Sequence, residues 1–249
     1  MIKISDNHIL TGVNELARSW MMGFPINSGR FPLEEMLDCI ERNFLPSRPD
    51  NLSRENWRLA KQLKMSGHNR SSEKVLEKRI CSLADKRWVN QVPAASGFRG
   101  SRGRKRSIDL VFQKAADAFV FYELKTTPKS GKICDAAIEL LGYGLLYVYS
   151  RTRTTAYNEC PLMKATEVHL RVLGTSDYYS QQTLDTERSK KLQNVISGNL
   201  NKFASTHLPG CTLDFGFDTF PEEFKWSVED KDDGSTILNA LDGIHPLFS

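Results

Sequence analysis

The chain has 249 residues, 34 Lys+Arg against 30 Asp+Glu, and 40% hydrophobic residues. This excludes a fibrous or wholly disordered chain, and the length suffices for a generous hydrophobic core, alone or with an extension. No apolar run approaches the ~18–20 residues that span a bilayer, and the start, Met1 to Asp6, lacks the apolar stretch of a signal peptide.

Cys39, Cys81, Cys134, Cys160 and Cys211 show no metal-ligand or redox spacing, which fits reduced thiols in a cytoplasm. The histidines are equally scattered, which excludes a zinc centre of clustered His and Cys. The formal charge of +4 averages two unlike regions. From His207 onward, Lys225 and Lys231 face nine carboxylates, a balance of −7, which leaves +11 on residues 1–206. A basic body suits a polyanionic partner such as nucleic acid.

In chain order, residues 1–70 read as a polar helical region. Pro32 to Ile40 has apolar residues at helical spacing, Pro in the first turn and acids close behind. Ser53 to Lys64 predicts a second short helix on Trp57, Leu59, Ala60 and Leu63, and Ser66 to Arg70 breaks the chain before the next region. Ser71 and Ser72 can cap a helix bearing Leu76, Ile80 and Leu83. Arg87 to Val92 reads as a strand, and Gly97 to Arg106 as a loop with Arg99, Arg102, Arg104, Lys105 and Arg106 and no acid.

Ser107 to Phe112 and Phe119 to Lys125 form a predicted hairpin with a short connection. A loop from Thr126 to Lys132 leads into an Ala- and Leu-rich helix, Cys134 to Tyr149. A fourth strand covers Val168 to Leu173, a polar helix Glu187 to Ala204, and a last strand Cys211 to Phe217. From residue 71 the order is helix, three strands, helix, strand.

The third strand carries the chemistry. Its alternation puts Glu123 and Lys125 on the face of Phe119 and Phe121, with Val120, Tyr122 and Leu124 on the other. Both faces are apolar, so the strand is expected inside the sheet, where unpaired charges cost on the order of several kcal/mol. A turn centred on Ala116 sets Asp109 opposite Glu123, Val111 opposite Phe121 and Ser107 opposite Lys125. Opposed residues have Cβ atoms ~4.5–5.5 Å apart, so two carboxylates there need a proton or a cation between them. A hard divalent ion suits such oxygens, and Lys125 can face a water or a phosphate.

Asp109, thirteen intervening residues and Glu123-Leu124-Lys125, on a hairpin within that element order, resemble the PD-(D/E)XK nuclease superfamily (restriction-endonuclease-like), with no subfamily indicated. The likeness covers residues 71–175, and Ile108 stands where the motif's name has proline, a position that varies. The resemblance implies an α/β fold with an αβββαβ core and a mixed central sheet. Residues 1–70 would be an N-terminal helical extension, and the nuclease-like domain, 71–249, would end in an acidic helix/strand appendage.

It further implies Mg²⁺- or Mn²⁺-dependent hydrolysis of nucleic-acid phosphodiesters, with DNA favoured over RNA and an endonucleolytic cut. Asp109 and Glu123 would bind metal, and Lys125 would orient water or stabilise developing charge. The first core helix of such proteins often adds an acid, for which Glu73 and Glu77, on one helix face, are both candidates. The Arg99–Arg106 run would grip phosphates. Gln91, Glu139 and Tyr143 are accessory candidates, and the N-terminal region is a candidate for target recognition or for assembly into a homodimer or larger complex.

Plainer roles exist for each residue. Asp109, Glu123 and Lys125 can form a buried salt-bridged triad that fixes hairpin register. Glu73 can favour the helix dipole, and Glu77 can pair with Lys74 or Lys78 at the surface. An inactive nuclease-fold protein that binds nucleic acid or assembles with partners is the alternative function.

Overall fold

A strand that is apolar on both faces belongs inside a sheet covered on both sides, and Ala118–Lys125 takes that place, with every residue but Lys125 buried. The structure, a computed structural model, describes residues 11–22, 31–43, 55–64, 71–95, 106–153, 159–181, 186–229 and 234–248. Its sheet comprises β1 (Trp88–Pro93), β2 (Ser107–Gln113), β3 (Ala118–Lys125), β4 (Glu167–Gly174), β5 (Thr212–Thr219) and β6 (His245–Pro246), in that spatial order. The β1–β2, β2–β3 and β5–β6 pairs are antiparallel, whereas β3–β4 and β4–β5 are parallel. The fold is mixed α/β, with seven α-helices among the described residues.

Three helices follow the predicted order: α3 (Ser72–Leu83), α4 (Ile133–Arg153) and α6 (Thr186–His207). The Ser71 hydroxyl accepts from Lys74 N, the cap that the sequence offers. Parallel strand pairs need crossovers, and α4 and α6 supply them between β3, β4 and β5.

The two sheet faces have separate cores. On one, Phe119, Phe121, Leu170 and Phe215 pack with α4, α6 and two N-terminal helices, α1 (Thr11–Met22) and α2 (Leu33–Asn43). On the other, Leu110, Val120, Tyr122 and Leu124 meet Leu76 and Ile80 of α3 and Ile237 of α7 (Ser235–Asp242). A fully buried Leu, Ile or Phe contributes roughly 1.5–3 kcal/mol, so β3, with apolar cover above and below, can carry a costly pair of charges at its end.

Two sequence expectations fail. Residues 58–64 are not helical: Glu55 to Trp57 turn, and the chain then runs without regular secondary structure to Lys64. Trp57 takes a left-handed φ of 64°, its N–H donates to Pro93 O at 2.7 Å, and its fully buried indole donates to Ser150 Oγ at 3.0 Å. Further on, Gln62 and Asn90 exchange two hydrogen bonds, and the Lys61 ammonium binds the Cys81 and Ala84 carbonyls at the end of α3. Tertiary partners thus take backbone groups that a helix would have used internally. Secondly, α4 does have the length and mean hydropathy of a membrane span. Its apolar surface is accounted for by burial in the protein, from Ile133 through Ser150 on most positions.

Candidate functional site

The β2–β3 ladder runs from Gln113 opposite Phe119 to Leu110 opposite Tyr122 and stops there. Val111 faces Phe121 as predicted, and the same register sets Asp109 at the level of Glu123. The two strands part at this level, and Asp109 Oδ2 accepts the Leu124 N–H at 3.0 Å in place of a backbone carbonyl. The expected pairing of Ser107 with Lys125 therefore does not form; Ser107 pairs with Pro93 of β1 instead.

A second break lies on the other side of Asp109. The β1–β2 ladder has Asn90 opposite Leu110 and Val92 opposite Ile108 but no pair between them. Gln91, the unpaired residue, has φ 51°, a left-handed conformation that costs a side-chain-bearing residue roughly 1–2 kcal/mol. Its side chain donates from Nε2 to Glu77 Oε2 at 2.6 Å, which ties the strand to α3.

Glu77 is therefore not the surface residue of the plain reading. It is 1% exposed, and its Oε1 is buried without a partner. Burial pushes its pKa up to about 8, against the hydrogen bond from Gln91 and the charge of Lys74. Asp109 and Glu123 are raised well above ordinary carboxyl values too. Burial is the first cause for both, followed by Glu77 acting on Asp109 and by Asp109 acting on Glu123. Lys125 opposes both shifts, and its ammonium bonds Glu123 Oε1 at 2.7 Å with little solvent exposure on either side chain. Burial favours loss of its proton, but Glu123 and Asp109 outweigh that and hold it charged.

Of the two α3 acids, the structure brings Glu77 to this cluster. Glu73, one turn earlier, accepts a short hydrogen bond from Ser130, whose Oγ also receives the Thr127 N–H at 3.1 Å. Glu73 thus braces the 3-10 turn Pro128–Ser130 that follows β3. From α4, Tyr143 donates to Glu139 at 3.3 Å, and Arg106 stands 3.7 Å from the same carboxylate. The charge of Glu139 reaches Asp109, Glu123 and Lys125. Arg99, Arg102, Arg104 and Lys105 lie outside the described residues.

Sequence reasoning did not single out Tyr178, on α5 (Ser176–Ser180). Its hydroxyl is buried without a hydrogen-bond partner, and its pKa is raised first by burial, with Lys125 opposing and Glu123 adding to the rise. Nothing in the local pattern marks it, because only the turn of the chain after β4 brings it near Lys125.

Among the described residues no three His, Cys, Asp or Glu are already gathered as a metal cage. The donor chemistry nevertheless fits a hard cation. Glu77, Asp109 and Glu123 offer only oxygen, one of those oxygens has no partner among the described residues, and all three carboxyl groups stay raised despite Lys125 and Lys74. No family model, curated protein or solved structure matches the chain.

Proposed function

We propose that this chain is a Mg²⁺- or Mn²⁺-dependent nuclease acting on DNA in the cytoplasm, built on the αβββαβ core of the PD-(D/E)XK enzymes. The observation that carries the reading is the meeting of Glu77, Asp109 and Glu123 beside Lys125 where β2 and β3 part. Strongly perturbed carboxyl groups gathered in one place are costly as a structural device and are the usual equipment of a site.

Glu77, Asp109 and Glu123 would hold the ion, which when bound supplies Lewis-acid stabilisation to charge building on the phosphate. The residues do the rest. Gln91 fixes one oxygen of Glu77, leaving the other for the ion. The Leu124 N–H orients Asp109 through one oxygen. Lys125, held protonated, donates to the attacking water or to a phosphate oxygen, and a fixed donor is most effective where negative charge develops. Glu139 and Tyr143 add a polar wall from α4.

The test is cleavage of closed circular DNA by the purified chain with Mn²⁺ or Mg²⁺. Nicking is the expected result, lost on Asp109→Ala, Glu123→Ala and Lys125→Ala in chains that keep their fold by circular dichroism. Cleavage untouched by all three changes would overturn the site. Binding of DNA without cleavage under any metal would favour the inactive, nucleic-acid-binding alternative, in which the 2.7 Å Lys125–Glu123 ion pair is only a brace.

A further inference from the structure

The failed helix of residues 55–64 builds something else. Its irregular course lines a cavity of about 540 Å³ together with α3 and β1. Glu77 and Gln91 are part of its wall, so the cavity borders the acid cluster through Glu77. Three cations line it, Arg58 from the irregular segment and Lys74 and Lys78 from α3, against Glu55 as the other acid. The Lys78 ammonium is bound to the Lys64 carbonyl, which ties the segment to the helix. Arg58 is exposed, and among the described residues neither it nor Lys74 has a side-chain ion-pair partner.

Size and chemistry narrow the occupant. Small-molecule sites run to about 300–1,000 Å³, so this cavity has room for a group of nucleotide size and none for an enclosed duplex. Among the described residues its wall has no aromatic platform for stacking, but Gln62 and Ser107 offer hydrogen bonds and the cations offer charge. We propose that the cavity seats one unpaired nucleotide of a nucleic-acid strand, next to the phosphate at the acid cluster, with Arg58 and Lys74 on its backbone phosphate. This rests on the nuclease reading and deepens it: the enzyme acts on strands that are single, frayed or splayed open at the cut.

The measurement is fluorescence anisotropy of a labelled single-stranded oligonucleotide and of its blunt duplex, titrated over a salt series with the Asp109→Asn chain. The single strand binds more tightly. Arg58→Ala and Lys74→Ala each weaken it by about fivefold or more and reduce the slope of log K against log salt by about 0.7, the value for one phosphate contact to a single strand. Arg58→Lys keeps the slope, and the melting temperatures of all these variants match their parent. In the otherwise unaltered chain, Arg58→Ala raises KM and spares kcat at saturating substrate.

Unchanged affinity and slope in both alanine variants would overturn the seat while leaving cleavage, and hence the nuclease reading, intact. Equal weakening on blunt duplex and single strand would overturn the unpaired nucleotide. If no substrate is cut with either metal, the nuclease reading fails, and the binding series alone then decides the cavity.

Discussion

The sheet carries two charged clusters that treat their carboxyl groups differently: one holds Asp214 low although burial raises its neighbour Asp218, and the other raises every acid it contains. Across β4 and β5, Asp214 accepts from Arg171 at 2.5 Å and lies 3.0 Å from His169, with Asp218 3.6 Å from the same guanidinium. Burial alone would raise Asp214, but hydrogen bonds from His169 and Arg171 outweigh it and hold its pKa at about 2. Gly216 lets this happen, because a Cβ there would meet the Arg171 guanidinium at 3.3 Å. At the end of β2 and β3, by contrast, three carboxyl groups are driven upward, although Lys125 acts on Asp109 and Glu123 and Lys74 on Glu77. Partial burial is common to both places. The difference lies in pairing: His169 and Arg171 outweigh burial at Asp214, though not at Asp218, whereas Glu77, Asp109 and Glu123 all stay raised despite the cations beside them.

The largest expected separation is in cleavage. Asp109→Ala lowers it by about 100-fold or more, in the range seen when a group that stabilises transition-state charge is removed. Arg171→Ala leaves cleavage within about twofold and instead lowers stability by about 1–3 kcal/mol, because Asp214 loses one of its two hydrogen-bond partners and Asp218 its ion-pair partner. Steady-state rates and denaturant melts on the two variants check this, and a reversal of the pattern would exchange the roles assigned to the clusters.

Stability against pH comes next in size. Glu77 has a folded pKa of about 8 against 4.5 for the free group, so its stabilising contribution is full below about pH 4.5 and is lost as pH rises through 8. A rise of that size is worth on the order of 3–5 kcal/mol in a buried group. Asp214 has the opposite sign: its contribution is present above about pH 4 and is lost as pH falls toward 2. Melting temperatures measured from pH 3 to 9 without divalent metal should therefore fall less steeply on the alkaline side in Glu77→Gln, where the raised Asp109 and Glu123 remain, and on the acid side in Asp214→Asn.

Metal addition is the third separation. Mg²⁺ at 100 times its dissociation constant stabilises by about 2.7 kcal/mol, or roughly 5–10 °C in a chain of this size. Arg171→Ala keeps that gain, whereas Glu77→Gln loses most of it. A melting temperature indifferent to Mg²⁺ and Mn²⁺ at pH 8 would count against the metal site.

Sequence and structure meet where local alternation decides the outcome. The period-two pattern of β3 and the short connection to β2 were enough to set Asp109 level with Glu123 and to place Lys125 on the same face. The choice of Glu77 over Glu73 was not legible. Both lie on one side of α3, and only the packing of that helix shows which turn meets the end of the sheet; one turn is about 5.4 Å along the axis. The Arg171–Asp214 network was hidden for a similar reason, since it depends on the parallel register that sets His169 beside Asp214 across two strands far apart in sequence. Residues 55–64 misled because Trp57, Leu59, Ala60 and Leu63 have helical spacing, while their backbone partners belong to β1 and α3.

The smallest expected effect concerns Gln91, which links both halves of the comparison by joining backbone strain to the acid cluster. Its φ of 51° is unfavourable for any side-chain-bearing residue, and its Nε2 is the one donor to Glu77's carboxylate among the described residues. Gln91→Ala keeps the strain and loses the donor, while Gln91→Gly loses both. The glycine variant should therefore be the more stable of the two by about 1 kcal/mol, since glycine enters left-handed conformations at little cost. Mg²⁺ affinity, read from the shift in melting temperature with metal concentration, should fall by about tenfold in both, as expected when a ligand loses the group that orients it. Equal stability of the two variants would remove strain from the account, and undiminished affinity would mean that Glu77 is held for the ion by something other than Gln91. The strain is then intelligible as the cost of turning one side chain out of the ladder to reach α3, at the level where Asp109 must also leave its own ladder.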